Sequence, residues 1–287
     1  MSEIADPNQE AIEAWNTVLF EKFSHFRWLL THGLGQHGRL AIDKHVRPPA
    51  KRVLDVGCGF GDTTLAIASQ LGPGARVVGV DAAERFIDEA RKDAATAKAE
   101  NAEFVVGDVA AGDLGGPYEI AFSRFGTMFF ASAVQALRNV GRALVPGGRL
   151  CMVVWRKRED NPWLHVPETV VREIVPEHDK GDAVTCGPGP FSMSGADLVS
   201  DQLIKAGYSQ IAFERVDLPL CIGRNLEEAV EFAMALGPAG EIVRLAGAEG
   251  ERLRPQVESA LRKALAGFSR EDGVFAPSST WIVTARH

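Results

Sequence analysis

The stretch Val53-Leu54-Asp55-Val56-Gly57-Cys58-Gly59-Phe60-Gly61 joins an apolar run, which contains one acid, to three closely spaced glycines. This pattern predicts a buried strand that enters a tight turn, because glycine has no Cβ and lets a ligand approach the backbone amides. A helix that begins near Asp62-Thr63-Thr64 would point the positive end of its dipole into the same space. The segment therefore predicts a site for a nucleotide-like ligand.

Strands and helices alternate on both sides of this turn, and the alternation is typical of βαβ units and a parallel sheet. The first five strands are predicted at Val53–Val56, Val77–Val80, Phe104–Gly107, Ile120–Phe122 and Leu150–Trp155. The helices between them are predicted at Asp62–Leu71, Ala83–Ala99 and Ala131–Leu144. Pro146-Gly147-Gly148 is predicted to form a structural turn before the fifth strand.

The pattern loosens after Trp155, where prolines interrupt the chain. Two further strands are predicted at Ile211–Leu218 and Trp281–Ala285, and further helices at Pro167–Val175, Ser194–Ala206, Leu226–Leu236 and Arg254–Ala266. Residues 1–287 are therefore expected to form a single domain. Its parts are a helical cap at 10–45, a cofactor-binding core at 51–155, and insertions at 156–195 and 223–277 that cover the substrate.

Composition excludes several classes of protein. The 287 residues carry a net charge of −7 with interspersed signs, so there is no basic stripe for nucleic acid, and a small molecule is the expected partner. No apolar stretch approaches the roughly 18 residues that span a bilayer, and no signal peptide is evident, so a cytoplasmic protein is expected. Neither a disulfide frame nor a metal site is indicated by the scattered cysteines Cys58, Cys151, Cys186 and Cys221.

Acids recur where the first three strands end. Asp81 follows the second strand and is placed to accept hydrogen bonds from two ribose hydroxyls. Asp108 follows the third strand and is placed to accept a hydrogen bond from an adenine amino group, while Asp55 suits a ligand with a positive amino group. The glycine spacing differs from the Gly-x-Gly-x-x-Gly of dinucleotide sites, which argues against a pyrophosphate. Amine, ribose and adenine together describe S-adenosyl-L-methionine.

At this point the chain resembles the class I S-adenosylmethionine-dependent methyltransferases, and within them the branch of the ubiquinone and menaquinone biosynthesis enzymes. The matching segments are Asp55–Gly61, Asp81, Gly107–Val109, Ser123–Gly126 and Leu144–Arg149. The resemblance implies an α/β, Rossmann-like fold whose seven-stranded sheet has the order 3-2-1-4-5-7-6, with strand seven antiparallel. It also implies S-adenosyl-L-methionine as the cofactor and S-adenosyl-L-homocysteine as the product.

The resemblance further implies roles for matching positions. The glycine turn would lie against the methionine part of the cofactor, Asp81 on the ribose, and Asp108 about the adenine. Ser123 would approach the methionyl part through its backbone. The full set of expected cofactor-binding residues is Asp55, Gly57, Cys58, Gly59, Gly61, Asp81, Ala82, Asp108, Val109 and Ser123.

The acceptor is expected to be small and partly apolar, methylated on oxygen as the first hypothesis and on carbon as the second. Phe125, Met128 and Trp163 are the candidate substrate-binding residues, since the first two follow strand four at the ligand edge of such a sheet. A hydroxyl or acidic carbon needs a general base, for which His165, His32 and His37 are the candidates. Each histidine also fits an ordinary structural role.

Two other classes of function stay open at this level. One is a nicotinamide-dependent oxidoreductase on the same general fold, which the glycine spacing disfavours. The other is a non-catalytic regulatory protein that keeps the S-adenosylmethionine site.

Overall fold

The structure is a computed structural model that describes residues 7–176 and 188–287. Cys186 and the centre of the first predicted insertion, residues 177–187, lie outside the described residues.

Within these residues the strands form one mixed sheet. The strands are β1 Arg52–Val56, β2 Arg76–Asp81, β3 Ala102–Val106, β4 Tyr118–Arg124, β5 Leu144–Trp155, β6 Ser209–Gly223, β7 Ser269–Arg270 and β8 Gly273–Arg286. Their order is β3-β2-β1-β4-β5-β8-β6, and the short β7 pairs with β8 off this path. β8 runs antiparallel to both of its main neighbours. The predicted order and the antiparallel final strand are confirmed, with β7 as one additional strand.

Helices cover the sheet and extend beyond it. They are α1 Pro7–Ala14, α2 Phe20–His25, α3 Gly35–His45, α4 Asp62–Leu71, α5 Glu84–Ala97, α6 Ala133–Arg142, α7 Pro162–Arg172, α8 Ala196–Lys205, α9 Leu226–Ala235, α10 Pro238–Leu245 and α11 Gly247–Leu265. Two π-helical segments, Trp15–Leu19 and Leu29–Gly33, interrupt the N-terminal helices. None of the helices in the two described ranges combines the length and apolar character needed to cross a bilayer.

The central strands are buried on both faces, as expected for a parallel sheet between helical layers. Successive side chains of a strand point to opposite faces. Val53 therefore packs with α3 and α4, whereas its neighbour Leu54 packs in the same cluster as α6 and α8. β1 to β4 run parallel to one another, so their carboxyl ends lie along one edge of the sheet.

Three local predictions need correction. Pro146-Gly147-Gly148 lies inside β5 and not before it, because the register between β4 and β5 shifts there and the Gly147 N–H donates to the carbonyl of His287. The helix predicted from Pro167 begins at Pro162, and the helix predicted from Arg254 begins at Gly247 and continues through Pro255. α10 was not predicted.

Candidate functional site

The glycine loop after β1 is fixed against the end of β2. The N–H groups of Gly57 and Cys58 both donate to the carbonyl of Val80, at 2.8 and 3.1 Å. Gly61 adopts a φ of 77°, and a Cβ on it would lie 2.6 Å from the ring of Phe104. Only glycine satisfies both the backbone angle and the space where this loop turns into α4.

Asp81 is oriented by the loop that it faces. Its Oδ2 accepts the N–H of Gly59 at 2.9 Å, and its Oδ1 accepts the N–H of Ala83 at 3.0 Å. Burial raises the pKa of Asp81, and these backbone bonds oppose the rise. Because a carboxylate oxygen has more than one acceptor direction, both oxygens can still accept hydroxyl groups from a ligand.

Asp55 is buried at the end of β1 beside the first turn of α4. Its Oδ2 accepts the hydroxyl of Thr64 at 2.6 Å. Its Oδ1 is also buried and has no hydrogen-bond partner among the described residues. Burial raises the pKa of Asp55 to about 7, although Thr64 and Arg124 both act to lower it. A buried acceptor without a partner is the kind of atom that a ligand or an ordered water would satisfy.

The remaining predicted cofactor residues lie along the same edge of the sheet. Ser123 donates its hydroxyl to the carbonyl of Val56 at 2.8 Å and so ties β4 to the end of β1. After β3, Asp108 accepts the N–H of Ala110 at 2.8 Å, and Val109 is buried. The structure therefore brings the expected cofactor-binding residues together, with Ala82 half-buried next to Asp81.

Cys58 is buried within the loop, in a cluster with the side chains of Ile87 and Phe104. Burial raises the pKa of the Cys58 thiol well above its usual value. A thiol in this environment is a poor nucleophile, so its side chain fills space while its backbone shapes the loop. Among residues 7–176 and 188–287, no group of three or more His, Cys, Asp or Glu side chains is arranged to hold a metal ion.

A row of aromatic rings begins where β4 and β5 end. The ring of Phe125 stacks on that of Trp155, with centroids 4.2 Å apart and planes 11° apart. Trp155 lies 5.2 Å from Trp163, which lies 6.2 Å from Phe232 on α9. Phe125 has a φ of 60°, a backbone angle that is rare for a bulky residue and is often found at functional sites.

Two of the three predicted substrate residues, Phe125 and Trp163, lie in this row, which is called the aromatic row below. Met128 is buried beside it, and its sulfur accepts the N–H of Trp155 at 3.4 Å. The sequence prediction omitted Trp155 and Phe232. Trp155 was detectable, since it is the last residue of a predicted strand at the same edge, whereas Phe232 reaches the row only through the packing of α9.

The three candidate bases occupy different environments. His37 is fully buried, with its Nε2 2.8 Å from the hydroxyl of Ser278 and its Nδ1 3.0 Å from that of Thr280. Burial lowers the pKa of His37 to about 4. Both ring nitrogens are engaged, as in a structural histidine.

His32 is exposed, and its ring stacks on that of Trp28 with centroids 5.2 Å apart. His165 is half-buried on α7, two residues after Trp163. Of the three, His165 is the one whose element joins the aromatic row and whose side chain is not fully buried. The structure does not bring the three histidines into one cluster.

The N-terminal segment covers the glycine loop. The ring of Trp15 lies 5.1 Å from that of Phe129, and the ring of Phe20 lies 5.0 Å from that of Phe86. The guanidinium of Arg27 lies 4.5 Å above the ring of Phe60, which belongs to the loop itself. The N-terminal segment therefore packs on the glycine loop through Phe60.

Comparisons with known proteins agree with this geometry. The family described as "Methyltransferase domain" matches residues 53–148. Demethylmenaquinone methyltransferase of Listeria monocytogenes is 29% identical over 131 residues, which are 45% of this chain and 54% of that protein. Aklanonic acid methyltransferase DauC of a Streptomyces species is 32% identical over 114 residues, which are 39% of this chain and 52% of that protein. The chain spans about half the length of the curated relatives that it matches.

Among solved structures, the YcgJ protein of Bacillus subtilis superposes with a TM-score of 0.52 at 20% identity, covering 89% of this chain and 97% of that chain. At this identity the likeness concerns the fold alone. The segment that the family matches contains the glycine loop and the three strand-end acids, Asp55, Asp81 and Asp108. Over residues 53–148, the chain is therefore similar to methyltransferase domains, and the curated relatives named above are methyltransferases.

Proposed function

We propose that this protein transfers a methyl group from S-adenosylmethionine to a small, partly apolar acceptor by direct displacement and without a metal. The observation that carries the proposal is the assembly of Asp55, Asp81 and Asp108 with the glycine loop at one edge of the sheet. In this proposal Asp81 holds the ribose hydroxyls, the residues after β3 surround the adenine, and the unpartnered oxygen of Asp55 faces the ammonium group.

The residues present fit such a ligand. Asp81 is pre-oriented by two backbone N–H groups, so no reorganisation is needed before it accepts the hydroxyls. The bound cofactor supplies an electrophilic methyl group, and the protein's task is to align the acceptor with it and to exclude water. Correct alignment of two reactants supplies a large part of the acceleration in such reactions.

The aromatic row supports an apolar acceptor. Flat ligands pack well on aromatic rings, and the half-buried ring of Phe125, backed by the buried ring of Trp155, is the part of the row that an acceptor would contact. The names of two relatives, which act on demethylmenaquinone and aklanonic acid, agree with a small-molecule acceptor of this kind. Oxygen remains the first proposed acceptor atom, and carbon the second.

His165 is the preferred general base if the acceptor must lose a proton. It lies on α7, whose Trp163 belongs to the aromatic row, and its side chain is half-buried. Unchanged turnover in His165→Ala, alongside His32→Ala and His37→Gln, would remove the hypothesis of a histidine base.

The segments 156–195 and 223–277 are proposed to select the acceptor, because they contribute α7 and α9 with Trp163 and Phe232. The proposed location is the cytoplasm, whose reducing conditions suit the free, buried thiols of Cys58, Cys151 and Cys221.

The first test is a calorimetric titration of the folded protein with S-adenosylmethionine, S-adenosylhomocysteine and NADH. Binding of both adenosyl ligands without a response to NADH is expected. Asp81→Ala should weaken adenosyl binding by about 10- to 100-fold, because the ribose hydroxyls lose a charged acceptor. Asp88→Ala, on the exposed side of α5, is the matched control and should bind as the wild type does.

Methyl transfer to a panel of phenols, hydroxyquinones and carboxylic acids then separates an enzyme from a binding protein. Adenosyl binding without turnover on any acceptor would favour the regulatory alternative. Binding of NADH alone would favour the oxidoreductase, and wild-type affinity in Asp81→Ala would show that the site is misplaced.

A further inference from the structure

Arg124 at the end of β4 forms an ion pair that the cofactor assignment above does not use. Its Nη1 and Nη2 donate to Oδ2 and Oδ1 of Asp62 at 2.6 and 2.9 Å, which is the bidentate geometry of a strong pair. The side chains of Arg124 and Asp62 are only 15% and 28% exposed. The stem of Arg124 passes along α3, where a Cβ on Gly38 would lie 2.6 Å from its Cδ.

This pair lies at the start of α4, directly after the glycine loop. The first intrahelical bond runs from the N–H of Leu65 to the carbonyl of Gly61, and Gly61, as the N-cap residue, has no side chain with which to cap the helix. The first turn of an α-helix leaves N–H groups without backbone acceptors and carries a partial positive charge. Asp62 offsets part of that charge, and Arg124 in turn neutralises Asp62.

The buried carboxyl of Asp55 lies against the same turn. Its Oδ2 accepts the hydroxyl of Thr64, which belongs to α4, and its Oδ1 has no partner among the described residues. The positively charged N-terminus of α4 and the unpartnered Oδ1 of Asp55 therefore lie at the same end of one helix. A guanidinium has five N–H donors, and Asp62 takes two of those of Arg124.

This arrangement is complementary to an α-amino acid zwitterion, in which a carboxylate and an ammonium group share one carbon atom. The carboxylate matches the guanidinium and the helix N-terminus, and the ammonium matches the free oxygen of Asp55. The adenosyl part of the ligand would then extend toward Asp81 and Asp108.

We propose that Arg124, held in place by Asp62, binds the carboxylate of the methionyl end and makes the site selective for ligands that carry an intact amino acid. The inference rests on the proposed function and assigns a residue to one end of its cofactor. Another cation near the glycine loop, Arg27, is already committed to Asp93 and Glu89 on α5 and lies over the ring of Phe60.

The test compares two ligands that differ only in this carboxylate, S-adenosylmethionine and decarboxylated S-adenosylmethionine. Wild-type protein is expected to prefer the intact ligand by about 10-fold or more, as a charge-assisted pair would give. In Arg124→Gln the affinity for S-adenosylmethionine should fall until the preference disappears, while the affinity for the decarboxylated ligand stays close to that of the wild type.

Arg124→Gln leaves Asp62 without its partner, so the double variant Arg124→Gln/Asp62→Asn provides a second protein with no unpaired charge. Arg27→Gln is the matched control and should keep the wild-type preference. If the affinity for both ligands fell equally in folded Arg124→Gln and in the double variant, the role of Arg124 would be purely structural. That result would overturn the inference but leave the proposed function standing. The inference would also be overturned if Arg27→Gln lost the preference for S-adenosylmethionine while Arg124→Gln kept it. If the folded wild type bound neither ligand, the proposed function itself would fail.

Discussion

At the scale of single residues, the most unusual group in the protein is the carboxyl of Asp55. Burial raises its pKa from 3.8 to about 7, and Asp62 and Asp81 add to the rise. Thr64 and Arg124 oppose it. In the folded protein without ligand, Asp55 therefore keeps its proton over a range of pH in which the unfolded chain has released it.

This difference predicts how stability depends on pH. Since the folded state binds the proton more tightly, the contribution of Asp55 is fully present below pH 3.8 and is lost as pH rises through about 7. Asp55→Asn should remove that loss, so its free energy of unfolding falls less than that of the wild type between pH 4 and pH 8. Urea unfolding of both proteins between pH 4 and pH 8 measures these free energies.

The control for this prediction is Asp88→Asn on the exposed side of α5, which should follow the wild-type curve. His37 must be considered alongside, because burial lowers its pKa from 6.5 to about 4 and its contribution is lost as pH falls through that window. The contributions of Asp55 and His37 to the free energy of unfolding therefore change with pH in opposite directions, and their pH ranges overlap. An unchanged slope in Asp55→Asn would contradict the assignment of a protonated, buried carboxyl.

Sequence patterns located Asp55, Asp81 and Asp108 because the carboxyl ends of neighbouring parallel strands meet at one edge. They did not reveal the partner of Arg124, since the pairing with Asp62 depends on how β4 and α4 approach each other. Trp155 was likewise seen only as part of a strand, although it stacks on Phe125. Local sequence patterns do not specify contacts between elements that are distant in sequence.

At the scale of elements, the best-predicted segments are those with an uninterrupted apolar pattern. α4 has the predicted bounds Asp62–Leu71, and β1 differs from its prediction by one residue. β6 and β8 are far longer than predicted, because Pro219 interrupts the pattern of β6 and polar residues such as Ser278 and Thr280 interrupt that of β8. These polar side chains are satisfied by specific bonds, among them those to His37, which only the folded structure supplies.

The contact between the N-terminal cap and β6 depends on one glycine. A Cβ on Gly33 would lie 2.6 Å from the carbonyl oxygen of Cys221, and a backbone atom cannot move aside cheaply. Gly33→Ala should lower the free energy of unfolding by about 1–3 kcal/mol, the usual cost of overpacking.

Gly74→Ala is the matched control for this substitution, since a Cβ there meets no atom within 4 Å. Denaturant unfolding of the two variants compares the same chemical change at a packed and an open position. Equal stability of Gly33→Ala and Gly74→Ala would mean that the cap and β6 do not meet as described.

At the scale of the whole molecule, the cap is joined to the rest of the fold by buried aromatic contacts and, on its outer face, by ion pairs. Arg27 pairs with Glu89 and Asp93 of α5, and Arg85 of α5 pairs with Glu21 of α2 at 2.8 Å. His25 pairs with Glu231 of α9 at 2.9 Å. These pairs are partly exposed and individually weak, so they add only modestly to the buried contacts of Phe20, Phe26 and Leu29. Because the cap also covers the glycine loop, a ligand would reach the loop by local opening of the cap.

Hydrogen–deuterium exchange tests this coupling between cap and site. In the protein without ligand, amides of residues 15–33 should exchange faster than those of β1, β4 and β5, which lie in the buried sheet. Arg27→Gln combined with Arg85→Gln should accelerate exchange in the cap by about 2- to 30-fold, since the ion pairs of each arginine contribute roughly 0.2–1 kcal/mol. Saturating S-adenosylhomocysteine should slow the exchange of cap amides in the wild type and in the double variant.

Arg252→Gln, which breaks an exposed pair with Glu249 on α11, is the control and should leave cap exchange unchanged. If the ligand protected the glycine loop but not residues 15–33, the cap would be a fixed part of the fold and the route to the site would lie elsewhere.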